Sequence, residues 1–126
     1  MILSTKQAKI EHPAILIRIS RLYRSDMTDE ELYEATRGTW KIASKRRQPV
    51  LAMAVYKGIV QEVFQIRRWL PACSLVYKTR GSETLKKSGR YEFEGDVAHK
   101  ERGRFVGFSV TSYLGKGRWP LVYVNC

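Results

Sequence analysis

The stretch from Val50 to Trp69 leaves the backbone few choices. Val50 to Tyr56 alternates apolar and polar-tolerant positions, Lys57-Gly58 interrupts it, and Ile59 to Trp69 resumes. Two β-branched and aromatic runs separated by two residues, the second a glycine, predict a hairpin with a tight turn. The apolar pairs Ile59-Val60 and Val63-Phe64 break clean alternation, which predicts a bulge or strong bend in the second strand. A chain committed to such a hairpin must find further strands to cover it, because two strands alone are marginal in water.

Those strands are present. Residues 14 to 19 place Ile15, Ile17 and Ile19 on one face, predicting a strand with one buried side and Leu16 as a partial contact on the other. Tyr91 to Gly95 alternates again, with Tyr91 and Phe93 expected inward and Glu92 and Glu94 toward solvent. Phe105 to Val110 reads as another strand or the start of a short helix ending near Gly115, and Leu121 to Val124 as a closing strand. Residues 71 to 89, with Pro71, Gly81, Ser82, Ser88 and Gly89, read as a loop. One helix is clear: Thr28 and Glu31 form a capping box, Asp29, Glu30 and Glu31 occupy the first turn, and Gly38 stands where a glycine stops a helix. Leu32, Ala35 and Thr36 share its packing face. Five or six short strands without strand–helix alternation predict an α+β fold, a small, mostly antiparallel β-barrel with one or two short helices. At 126 residues, a single domain over 1–126 is expected.

Charge narrows the function. Lys and Arg number 23 against 12 Asp and Glu, and five of the acids (Asp26, Asp29, Glu30, Glu31, Glu34) lie in one nine-residue stretch free of cations. The remainder carries +16. A basic domain with segregated charge is a footprint for polyanions, nucleic acid first. No apolar run approaches the roughly 20 residues of a membrane helix, so no membrane partner is expected. Residues 1 to 10 lack a hydrophobic export segment, and two cysteines, Cys73 and Cys126, make no disulfide framework, so reduced thiols in a cytoplasm are expected. His12 and His99 are isolated from each other and from the cysteines, so neither a metal site nor a cofactor is expected. No phosphate-cradling loop, nucleophile elbow or zinc-protease motif is present, and no catalytic residue is assigned.

Five basic clusters remain: Lys45-Arg46-Arg47, Arg67-Arg68, Lys86-Lys87 with Arg90, Lys100-Arg102-Arg104, and Lys116-Arg118. Lys45, Arg46, Arg47, Arg67, Arg68, Lys116 and Arg118 are the candidate phosphate-binding residues. Trp40, Trp69 and Trp119 each sit beside a cation at an element end and are the candidate base-stacking residues. Arg37-Gly38-Thr39-Trp40 brings a donor, a hydroxyl and an indole together, so Arg37 and Thr39 are the candidate contacts to a base edge.

The order of these pieces resembles the PUA-like superfamily, which includes EVE, YTH and ASCH domains. The resemblance runs through the opening strand, the short helix with Trp40, the hairpin Ala54 to Val60, the stretch Gly89-Arg90-Tyr91-Glu92-Phe93-Glu94-Gly95, and the closing Pro120 to Val124. It implies a reader of a flipped or modified base in DNA or RNA, held in an aromatic pocket by Trp40 and Trp69. The alternative is a small metal-independent ribonuclease, toxin-like or, as the resemblance implies, ASCH-like; its candidate bases are Glu92, Glu94 or His99, with Arg90 or Arg104 as the phosphate clamp. This chain carries the residue types of the ASCH run Gly-x-Lys-x-x-Glu-x-Arg between Gly81 and Arg90, at a different spacing. Residues 28 to 69 and the ending also resemble a bacterial domain of nuclease-linked proteins, which implies a nuclease partner.

Overall fold

The computed structural model describes residues 6–42, 48–81 and 89–126. It contains strand β1 (Ala14–Arg18), helix α1 (Asp29–Arg37), strands β2 (Gly38–Trp40), β3 (Leu51–Tyr56), β4 (Ile59–Pro71) and β5 (Tyr91–Val97), a 3-10 turn (Arg102–Arg104), helix α2 (Thr111–Leu114) and strand β6 (Leu121–Val124). The strands form one six-stranded sheet in the order β2-β5-β4-β3-β1-β6. Only β1 and β3 pair in parallel; the other neighbours are antiparallel. The sheet curls into a half-barrel and does not close, which corrects the expected barrel. Its edges are β2 and β6, and these do not pair with each other.

The hairpin forms as its sequence predicts. Lys57 and Gly58 have φ of 50° and 78°, the positive values a two-residue turn of this twist demands. The register slips between Ala54 and Val55 opposite the apolar pairs of β4, so the expected bulge is there. A second slip, between Ile66 and Arg68, bends β4 toward β5.

β1 is buried on both faces, not one. Ile15, Ile17 and Ile19 join Ala52, Ala54, Phe64 and Phe93 in one core. Ala14 and Leu16 join Leu51, Met53, Val55, Phe105 and Val110 in another. Leu32, Tyr33 and Trp40 cover the first, while Ala8, Ile10 and the 102–114 segment cover the second. With both faces covered, Leu51 to Val55 becomes a continuous apolar run, as in sheets packed on two sides.

The capping box at α1 is formed: Glu31 N donates to Thr28 Oγ1 at 3.1 Å, and Thr28 N donates to Glu31 Oε1 at 3.0 Å. Gly38 caps the helix in extended backbone, φ −172°, rather than in the left-handed form expected of a stop glycine. It is small for another reason: a Cβ there would collide with the Tyr77 hydroxyl and lie 2.8 Å from Glu92 Cβ. The 105–110 segment is irregular. Ser109 bridges both Gln7 and Ile59, and α2 then ends at Gly115.

Candidate nucleic-acid interface

The free edges of the sheet converge on one cleft. Gly38, Thr39 and Trp40 of β2 and Leu121 of β6 both line it, so it fills the gap that closing the barrel would have removed. Its volume is about 830 Å³, within the range of small-molecule sites. Among the described residues six cations line it, Arg18, Arg21, Lys41, Arg80, Arg90 and Arg118, and no acid does.

These cations divide into two groups. Arg18, Arg80 and Arg90 are half-buried and fasten the walls. Arg18 Nη1 donates to the carbonyls of Gly117 (2.8 Å) and Trp119 (3.2 Å), holding the loop before β6. Arg80 Nη1 donates to the carbonyls of Glu34 (3.0 Å) and Gly38, and Arg90 Nη1 to that of Thr39 at 3.1 Å, holding β2. Burial lowers the Arg80 pKa from the usual arginine value, against the opposing pull of Tyr77 and Glu34. Arg21, Lys41 and Arg118 are exposed, which suits them to screenable contacts with an anionic ligand.

β2 is positioned by a polar network behind it. Glu92 is 0% exposed, which overturns its expected solvent-facing place on β5. The 72–80 loop covers that side of the strand and turns its own donors inward. Cys73 N (2.8 Å) and Tyr77 Oη (2.8 Å) donate to Glu92 Oε1, and Leu75 N donates to Oε2 at 2.7 Å. Burial, then the bond to Glu92, raises the Tyr77 pKa well above the ordinary phenol value. Glu34, also buried, anchors the far end of the loop by accepting from Lys78 N, Thr79 N and Thr79 Oγ1, all within 2.8 Å. Burial pushes the Glu34 pKa up, but these three bonds and the nearby Arg37 charge outweigh it and leave it lowered. The acidic stretch is therefore not wholly a surface patch.

Arg37 belongs to this network rather than to the cleft. Its guanidinium lies 4.2 Å from the Tyr77 ring centroid and 5.1 Å from that of Tyr33, and its Nη2 donates to Val76 O at 2.7 Å. Thr39 and Trp40 do line the cleft. The Trp40 indole N–H is committed to Thr36 O at 2.8 Å, which fixes the ring's orientation. Trp69 is elsewhere, packed edge-on against Phe93 at 5.5 Å in the core that α1 covers. Trp119 is 73% exposed on the loop beside Arg118. Arg67 and Arg68 project from β4 and pair with Asp96 (2.8 Å) and Glu94 (2.9 Å), away from the cleft lining. Arg118 is in the lining and Lys116 is exposed on the same loop. Lys45, Arg46 and Arg47, like Lys86 and Lys87, lie outside the described residues.

Sequence reading did not select Arg18, Arg21, Lys41 or Arg80. Arg18 carried a signal: a cation set inside the apolar run Ala14 to Ile19 needs a place to reach, and that place is the cleft. Among the described residues no group of three or more His, Cys, Asp or Glu could hold a metal, and no helix is long and apolar enough to cross a membrane. Compared with protein-family models, curated proteins and solved structures, the chain matches none, so the PUA-like reading rests on the layout of the sequence alone.

Proposed function

We propose that this protein is a nucleic-acid-binding module that holds one nucleotide of a strand in the cleft between β2 and β6. The observation that supports this most is the cleft's composition: among the described residues, six cations, no acid, and an oriented indole in one wall. Cations of that density attract the phosphate backbone, and an indole offers a stacking face to any base. The cleft volume suits a nucleotide taken out of a stack and is far too small for a duplex. Thr39, next to Trp40, also lines the cleft and is the residue we assign to a base edge, where a modified base would be distinguished.

The ribonuclease alternative finds less support. Glu92 is fully buried with both oxygens engaged, so it does not reach a substrate. Glu94 is engaged by Arg68.

The test is titration with short single- and double-stranded DNA and RNA, with and without base modifications, at two salt concentrations, read by tryptophan fluorescence. Salt-sensitive binding with quenching, weakened by Trp40→Phe and by Arg118→Gln, supports the reading. Absence of binding at low salt overturns it, and time-dependent RNA cleavage would replace it with the nuclease.

A further inference from the structure

A second, smaller cavity adjoins the cleft. It measures about 290 Å³ and shares Arg18 and Ser20 with the larger one. The rest of its wall comes from the β3–β4 turn (Lys57, Gly58) and from α2 and the residue after it (Thr111, Leu114, Gly115). Among the described residues no acid lines it. From these features we propose that the small cavity is a phosphate subsite, which takes the phosphate next along the strand from the nucleotide held in the main cleft. This rests on the nucleic-acid reading of that cleft.

The argument is one of charge, placement and rigidity. Two cations and one hydroxyl line a space that suits a phosphate group: Lys57, Arg18 and Ser20. All three are side chains that donate hydrogen bonds to phosphate oxygens. Thr111 completes the wall with its methyl against Gly58, its hydroxyl being paired with that of Ser109 at 3.0 Å. Arg18 stands in the wall common to both cavities. Both of its bonds to the 117–119 backbone come from Nη1, and a guanidinium carries five donors.

Lys57 stands on a turn whose backbone is fixed. It occupies the left-handed region, φ 50°, where asparagine or glycine would be favoured in a two-residue turn. The turn itself is pinned. Val110 N donates to Gly58 O at 2.8 Å, and a Cβ on Gly58 would lie 2.6 Å from Thr111 Cγ2. The Lys57 ammonium lies 5.4 Å from the Tyr56 ring centroid, an exposed contact that a phosphate can outcompete. A lysine kept where the backbone prefers another residue, beside a cavity with no acid among the described residues, brings its charge to that cavity.

The test compares two probes on the full chain: a nucleoside monophosphate, which carries no next phosphate along a strand, and the 3′,5′-bisphosphate of the same nucleoside. The second phosphate should raise affinity about tenfold at low salt, the worth of one charge-assisted contact. Lys57→Asn removes the ammonium with a residue that tolerates positive φ, so the turn is kept. It should reduce the gain below about twofold while leaving tryptophan quenching by the monophosphate unchanged. Lys57→Arg should restore the gain. If Lys57→Asn keeps the full gain, the subsite is overturned and the cleft reading stands. If neither probe binds, both fall.

Discussion

The phenol of Tyr77 donates to Oε1 of Glu92 at 2.8 Å, and that bond ties the loop after β4 to β5, the strand beside the β2 edge. Together with the two amides on the same carboxylate, it makes Glu92 the fastening point of the structure that backs β2. Glu92→Leu should destabilise the protein by about 2–4 kcal/mol, since three donors lose a charged acceptor and only some regain water. Glu92→Gln, which keeps one acceptor, should cost about half as much. Urea unfolding measures both, and equal stability of Glu92→Leu and wild type would refute this role.

Acid and alkali should act on the same loop from opposite ends. The Glu34 pKa is lowered in the folded state, so its contribution is present above the unfolded carboxyl value of about 4.3 and is lost as pH falls through the folded value. The Tyr77 pKa is raised, so its contribution is present below the unfolded phenol value of about 10 and is lost as pH climbs from there. Melting temperature against pH should therefore fall below about pH 4 less steeply in Glu34→Gln, and above about pH 10 less steeply in Tyr77→Phe.

Gly95 has no room to grow. A Cβ there would run into the Gln65 carbonyl of the neighbouring strand, while its own N–H donates to the Tyr33 hydroxyl at 3.0 Å. Gly95→Ala should cost about 3 kcal/mol or more, because the obstacle is backbone and cannot rotate away. Gly103→Ala, with open space around it, is the control and should be within about 0.5 kcal/mol of wild type.

The three tryptophans should separate cleanly in a binding assay. Trp40→Ala should weaken oligonucleotide binding by about 1–3 kcal/mol, and Trp69→Phe should leave it unchanged. Trp119→Ala reports whether the loop indole adds a second platform. If Trp69→Phe weakens binding and Trp40→Ala does not, the cleft has been placed wrongly.

Salt dependence tests the exposed cations. Lys41→Gln and Arg118→Gln should each lower the slope of log affinity against log salt by about 0.7 for a single strand. The same slope in both variants as in wild type would mean that neither residue meets a phosphate.

Much of this fold was legible in the chain. The hairpin at Lys57-Gly58, the bulge in β4, the capping box of α1 and the strands at either end all follow from local patterns of turn residues, periodicity and caps. The long-range features did not. Alternation at Tyr91 to Glu94 placed Glu92 outward, because period two says which residues share a face and not what covers that face. The loop that covers it brings its donors from the 73–77 segment, and no local rule connects those residues to Glu92. Closure of the barrel was similarly beyond reach, since it depends on how far the sheet curls. In the cleft lining, Thr39 and Trp40 were singled out because they sit next to each other in sequence. Arg18, Arg21 and Arg80 were not, because they meet only in space.

An open half-barrel exposes two backbone edges, and free edges invite strands from other molecules. Here each edge is short, three residues in β2 and four in β6, and arginines border both. A second copy approaching either edge would bring its own arginines against these, so like charge opposes chain-to-chain pairing there. On β2 the Gly38 and Thr39 carbonyls are already taken by Arg80 and Arg90, so the cations that line the cleft also guard the seam against being sewn shut by another copy of the protein.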